Sequence, residues 1–144
     1  LAEIANFEGD ASSVKYYMNL VRQRAYGENW NEAVYGFTPG DFKTNELAIL
    51  AEKDKEMVQE GQRWYDVNRM TISKGGKHLV FCPEGSVSGI VLKDGKILPD
   101  YETPTPILNE ATEQYKVLWP INKSQLDNDK SLVQTPGYDE DNED

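Results

Sequence analysis

The chain has 144 residues, 38% hydrophobic and 28% charged, with a net charge of −10, which allows one compact domain or one part of a larger one. The acidic balance argues against nucleic acid as the main partner, because affinity for phosphate rests on clustered Lys and Arg. A single cysteine, Cys82, excludes an internal disulfide framework and any multi-cysteine metal site, and no apolar run reaches the roughly 18 residues of a membrane-spanning helix.

Residues 1–5, Leu-Ala-Glu-Ile-Ala, open among helix formers without an initiator Met or a signal peptide. The expectation is a fragment of a longer chain whose N-terminal part lies outside the sequence. Residues 1–26 predict a helical hairpin: the tail of one helix over 1–6, a turn at Gly9-Asp10, and a second helix to about Ala25 capped by Ser12 or Ser13. Val14, Tyr17, Met18, Val21 and Ala25 recur at helical steps and give one apolar stripe. The pattern is similar to the turn and second helix of a tetratricopeptide-like unit, which buries its faces only against neighbours.

Residues 26–43 form a glycine- and aromatic-rich loop with Tyr26, Trp30, Tyr35, Phe37 and Phe42. A long helix follows from about Thr44 to Glu60, capped by Thr44 or Asn45, with Leu47, Leu50, Ala51, Met57 and Val58 facing inward. It continues to Met70, with a bend or a close backbone approach at Gly61, since glycine costs about 1 kcal/mol inside a helix. After residue 77 the pattern changes: 78–81 (HLVF) and 89–98 (GIVLKDGKIL) read as short strands. Asp94-Gly95 signals a two-residue hairpin turn. Residues 99–115 read as proline-rich loop with at most one helical turn, and 115–121 as an extended run. Ser124 is a cap for a short helical turn, and Thr135-Pro136-Gly137-Tyr138 favours a type II turn. The fold class is therefore mostly α, a tetratricopeptide-like helical scaffold with long loops and a small β hairpin. Five of the ten net negative charges fall in residues 139–144, which read as a solvated acidic tail.

Three constellations bear on function. Glu52, Glu56 and Glu60 are spaced by four and form a carboxylate ladder. Arg63 follows Glu60, and Arg69 follows Asp66, at pairing distance on a helix. Hydrolases that use two carboxylates hold them roughly 5–10 Å apart around a cleft, but the segment supplies neither cleft nor nucleophile. The competing reading, in which the arginines fix helix packing and Trp64 fills the core, is preferred. His78 and Cys82, four apart on a strand, would stand roughly 13 Å apart, too far to share a metal. Residues 127–132 (DNDKSL) lack the glycine of an EF-hand loop, leaving at most a weak carboxylate site at Asp127 and Asp129. No P-loop, dinucleotide fingerprint or serine elbow is present. The expectation is no catalytic residue, no metal and no cofactor. The aromatics of the 26–43 loop are the best ligand contacts, because Trp and Tyr pair a stacking face with a polar handle.

Three segments in order carry a family pattern: 16–25 (YYMNLVRQRA), 48–70 (AILAEKDKEMVQEGQRWYDVNRM) and 118–138 (LWPINKSQLDNDKSLVQTPGY). They closely resemble the C-terminal portion of the SusD/RagB family of outer-membrane nutrient-binding lipoproteins of Bacteroidetes. The pattern sets residues 1–138 as that C-terminal region and 139–144 as the tail; the hairpin of about 72–115 reads as an insert. Lys53, Asn122 and Thr135 depart from the family's usual Arg, Pro and Asn. The resemblance implies a non-catalytic surface lipoprotein that binds oligosaccharide or polysaccharide, or in some members peptide. It would deliver the ligand to a SusC-like TonB-dependent transporter. The lipid-bearing cysteine would lie on the absent N-terminus, so Cys82 is not that residue. Glu52, Glu60, Arg63, Trp64, Asp66 and Arg69 would be scaffold, and Trp30, Tyr35 and Phe37 are the candidate ligand contacts. Two rivals remain: a glycoside hydrolase using the glutamate ladder, and a region that mainly contacts the transporter and the rest of its own chain.

Overall fold

The computed structural model describes residues 1–82, 88–93, 96–104 and 108–138. Among them are six helices: α1 (Ala2–Glu8), α2 (Ala11–Tyr26), α3 (Glu32–Tyr35), α4 (Phe42–Glu56), α5 (Gln62–Arg69) and α6 (Lys123–Asn128). Strands β1 (Ser88–Lys93) and β2 (Lys96–Pro104) pair antiparallel, with Leu92 opposite Ile97 and Lys93 opposite Lys96. The fold is mostly α, as expected. The Asp94-Gly95 turn and the acidic tail lie outside the described residues.

The N-terminal hairpin forms as its sequence dictates. Gly9, at φ +78°, ends α1 in the left-handed region, where a side chain is disfavoured. The Gly9 and Asp10 amides then close on the Asn6 and Ala5 carbonyls at 3.1 and 2.9 Å. The cap of α2 is Asp10, not Ser12 or Ser13: its carboxylate accepts from the Ser13 amide (3.0 Å) and hydroxyl (2.6 Å). Val14 and Met18 are buried and Tyr17 and Val21 half-buried, whereas Ala25 is exposed and falls off the stripe.

The central helix differs from expectation. It starts at Phe42, two residues before the expected Thr44, with Asp41 as cap in place of Thr44 or Asn45, accepting from the Thr44 amide at 2.8 Å, and it stops at Glu56 instead of Glu60. Its buried positions are Asn45, Glu46, Ile49 and Leu50. Leu47 is half-buried, and Ala51, Met57 and Val58 are exposed. The expected inward face therefore holds at Leu47 and Leu50 and fails at Ala51, Met57 and Val58, while polar Asn45 and Glu46 open the buried stripe. Gly61 is a joint between two helices and not a bend within one. It sits at φ +70° ahead of α5, and a Cβ there would meet nothing within 4 Å. Backbone conformation, not crowding, requires the glycine.

Residues 79–81 form a single 3₁₀ turn instead of a strand. Leu79 and Val80 are adjacent and both fully buried, which strand alternation does not allow on a one-sided sheet. The Leu79 amide donates to Met70 O (2.7 Å) and the Leu108 amide to Val80 O (2.9 Å), which draws this turn onto the helices. The stretch expected as proline-rich loop contributes regular structure: its first six residues, 99–104, belong to β2, and a 3₁₀ turn spans Gln114–Val117. The run 115–121 is therefore extended only from Leu118 onward. Asn122, not Ser124, caps α6 by accepting from the Ser124 amide at 2.9 Å. Gly137, at φ +96°, and the Tyr138 amide bond to Thr135 O (3.2 Å) fit the type II turn. The core gathers Ala5 from α1, Val14 and Met18 from α2, Ile49 and Leu50 from α4, and Val67, Met70, Leu79, Val80 and Leu108 beyond it.

Candidate functional site

Residues 52–69 take part in a polar clasp built across four helices, α1, α2, α4 and α5. From α2, Arg22 donates through Nε (3.1 Å) and Nη2 (2.9 Å) to Glu52 Oε2. Its Nη1 donates to the Tyr35 carbonyl at 2.9 Å. The same guanidinium lies over the Phe37 ring, 5.5 Å from its centroid, a contact cations favour. Arg24 pairs with Glu56. Both helical members of the glutamate ladder are thus held by arginines of α2. Glu60 lies exposed in the turn beyond α4, so no ladder of three exists. That arrangement offers no pair of free carboxylates facing a substrate.

On the other side of α4, Lys53 Nζ lies 2.6 Å from Asp66. Arg69 donates to Asp66 at 2.8 Å and to Glu3 of α1 at 2.8 Å. Burial pushes the Asp66 carboxyl up, but the hydrogen bonds from Lys53 and Arg69 outweigh it and hold the group below its usual range. Arg63 pairs with Asp54 and not with Glu60, because the turn takes Glu60 off the helix. Trp64 is half-buried against the core. Lys53 and Asn122, two of the three departures from the family pattern, carry bonds described above, and the third, Thr135, donates its hydroxyl to Trp119 O at 3.0 Å.

The aromatic residues form a separate, exposed constellation. Gly27, at φ +53°, turns the chain at the end of α2, and Asn31 caps α3 by accepting from the Ala33 amide at 3.0 Å. This folds Tyr35 back onto Tyr26: the rings stack at 4.1 Å with an interplanar angle of 14°. Trp30 stands beside Tyr26 at 6.4 Å. Tyr26 is 41% and Tyr35 36% exposed, whereas Phe37 is 6% exposed. Phe37 therefore underlies the group as part of the core, and its amide donates to Asn19 Oδ1 at 2.7 Å. Of the three expected contact residues, Trp30 and Tyr35 reach one surface, and Tyr26 joins them. Arg22, which anchors both Tyr35 and Phe37, was not singled out from sequence; its place in the R-x-R of 22–24 was the available signal.

Among the described residues no group of three or more His, Cys, Asp or Glu is placed to hold a metal ion. Asp129 accepts from the Ser131 amide and hydroxyl at 2.9 and 2.6 Å, and Asp127 faces Lys130 at 3.5 Å. Cys82 is buried, and burial pushes its thiol up, away from the reactive thiolate.

The family model of the SusD family matches residues 1–138. The chain belongs to the SusD family. A crystal structure of a SusD superfamily protein from Bacteroides fragilis is similar at 55% identity and a TM-score of 0.77, over 96% of this chain and 26% of that one. The SusD-family chain described here thus spans about a quarter of that relative's length. No match is found among curated proteins. The 118–138 segment, a family motif, closes on itself: the Ile121 amide donates to Gln134 Oε1 (2.8 Å) and Gln134 Nε2 to Ile121 O (3.0 Å). No helix among the described residues is long and apolar enough to cross a membrane.

Proposed function

We propose that this SusD-family chain is part of a non-catalytic binding protein at the bacterial outer surface. In this reading it captures oligosaccharide or polysaccharide and passes it to a SusC-like TonB-dependent transporter, while a lipid anchor elsewhere in the polypeptide holds the protein to the outer membrane. Within this segment the contact is made by Tyr26, Trp30 and Tyr35. The observation that supports it is the stacked, solvent-facing pair Tyr26–Tyr35 beside Trp30. It is fixed from beneath by Arg22 and Asn31, so it meets a sugar face with little ordering cost. The glutamates that a hydrolase would need are engaged by Arg22 and Arg24.

The test uses the full-length polypeptide and a panel of soluble glycans, read by thermal shift and by isothermal titration. Stabilisation by a glycan class, lost in a Trp30→Ala/Tyr35→Ala variant that keeps its unliganded Tm, supports the reading. Stabilisation by peptides alone would favour the peptide-binding alternative. Glycan binding unchanged by the double substitution would favour a scaffold role for this segment, which the exposed Leu118 and Trp119 (62% and 75%) also fit.

A further inference from the structure

Glu46 stands in the second turn of α4 with no exposed surface. One carboxyl oxygen, Oε1, accepts from Asn6 Nδ2 of α1 at 2.8 Å; the other, Oε2, is buried with no hydrogen-bond partner. No cation pairs with it among the described residues. An ionised carboxylate in such a place is strongly disfavoured, whereas a protonated one leaves far less charge to compensate. Its surroundings amplify the consequence. The Asn6 amide that serves Glu46 also donates to Phe42 O (3.1 Å), and Asn6 Oδ1 accepts from Asn45 Nδ2 (2.9 Å). Asn45 in turn holds both backbone groups of Gly40, at 2.8 and 3.2 Å. A single buried network thus joins α1, α4 and the end of the loop that carries the aromatics.

The charged groups around Glu46 are few. Glu3 of α1 opposes its ionisation and Arg69 at the end of α5 favours it. The charges of α2 are committed elsewhere: Lys15 to Glu32, Arg22 to Glu52 and Arg24 to Glu56. On α4 itself, Lys43 acts on Asp41, and Lys53 pairs with Asp66. Arg69 is drawn to Glu3 and Asp66, so it compensates Glu46 only in part.

We propose that Glu46 is a proton-sensitive pin: neutral when α1 is docked on α4, and loosening that docking when it ionises. Burial raises the carboxyl from 4.5 to about 7, with the Asn6 hydrogen bond opposing and Glu3 adding to the rise. The sign follows directly. The folded chain holds the proton more tightly than the unfolded one, so this contribution to stability is full below pH 4.5. It declines as pH rises and is gone above about 7. The folding equilibrium constant falls on the order of 100-fold across that window through this group alone.

The test is carbon-13 NMR of the full-length polypeptide labelled at glutamate carboxyls. The Glu46 resonance, assigned by its loss in Glu46→Gln, is expected to titrate near pH 7. In the same samples, amide protection of α1, corrected for intrinsic exchange, is expected to fall at least tenfold between pH 5 and 8 in the wild type and to stay level in Glu46→Gln. A midpoint near 4.5, or α1 protection in the variant that falls as in the wild type, overturns the proposal. If the variant does not fold, assignment through bonds in the wild type leaves the midpoint to decide. Neither outcome touches the ligand reading, which rests on Tyr26, Trp30 and Tyr35.

Discussion

At the scale of single residues, the most consequential group in the scaffold is Asp66. It is 3% exposed and takes bonds from Lys53 of α4 and from Arg69, which continues to Glu3 of α1. One carboxylate therefore ties α4 and α5, and through Arg69 it reaches α1. Asp66→Asn keeps the shape but leaves Lys53 without its counter-charge and Arg69 with Glu3 alone. Because Lys53 and Arg69 are partly solvated, the expected loss is about 2 kcal/mol, below the 3–5 kcal/mol typical of a fully buried broken pair. Urea denaturation of the full-length polypeptide measures it as a lower midpoint at unchanged slope. The Asp66 carboxyl is held low, so its contribution is present above pH 3.8 and is lost as the pH falls through the folded value. The spacing of Asp66 and Arg69 was readable in sequence as a three-residue helical pair. The reach from Arg69 to Glu3, 66 positions away, was not, since nothing local specifies which helix lies alongside.

At the scale of elements, the helix starts teach a consistent lesson. Ser13, Thr44 and Ser124 are hydroxyl residues near predicted starts, yet each is an amide donor inside the first turn, and the caps are Asp10, Asp41 and Asn122. A carboxylate or amide oxygen two or three residues upstream is a good acceptor for those amides, and the hydroxyl then adds a bond of its own. Replacing Asp10 or Asp41 by Ala is expected to cost about 1 kcal/mol each, seen as a lower denaturation midpoint with the ion-pair clasp intact. Gly61 marks the second lesson. Its glycine was legible as a break in a long helical pattern, but a crowded bend and a left-handed joint look the same in sequence. Gly61→Ala meets no steric contact and is still expected to destabilise by roughly 1–2 kcal/mol through the positive φ alone. Gly61→Asn should recover part of that loss, because Asn tolerates the left-handed region better than Ala.

At the scale of the whole molecule, three motifs in order were enough to read the family, which the match over residues 1–138 bears out. The site was less legible. Trp30 and Tyr35 were readable as aromatics in a glycine-rich loop; in the fold Tyr35 is exposed and Trp30 half-buried. Phe37 looked equivalent, but Arg22 and Asn19 draw it inward. A groove of about 700 Å³ runs between α1, α2 and α4, with Leu1, Tyr17, Leu20, Val21, Ile49 and Met57 making its apolar wall and clasp residues such as Glu52, Lys53 and Arg69 its polar one. Exposed apolar surface of this extent marks a contact site for other polypeptide. In the full-length protein, a cysteine at Leu20 should label with maleimide at least tenfold slower than one at the exposed Val34.

We propose that the aromatic group Tyr26, Trp30 and Tyr35 binds glycan in the full-length protein. Titration calorimetry of the wild type and of Trp30→Ala/Tyr35→Ala, against the glycan that stabilises the wild type most, tests it most directly. Affinity is expected to fall at least tenfold in the variant while its unliganded Tm stays within a few degrees. Equal affinity for both proteins would contradict it.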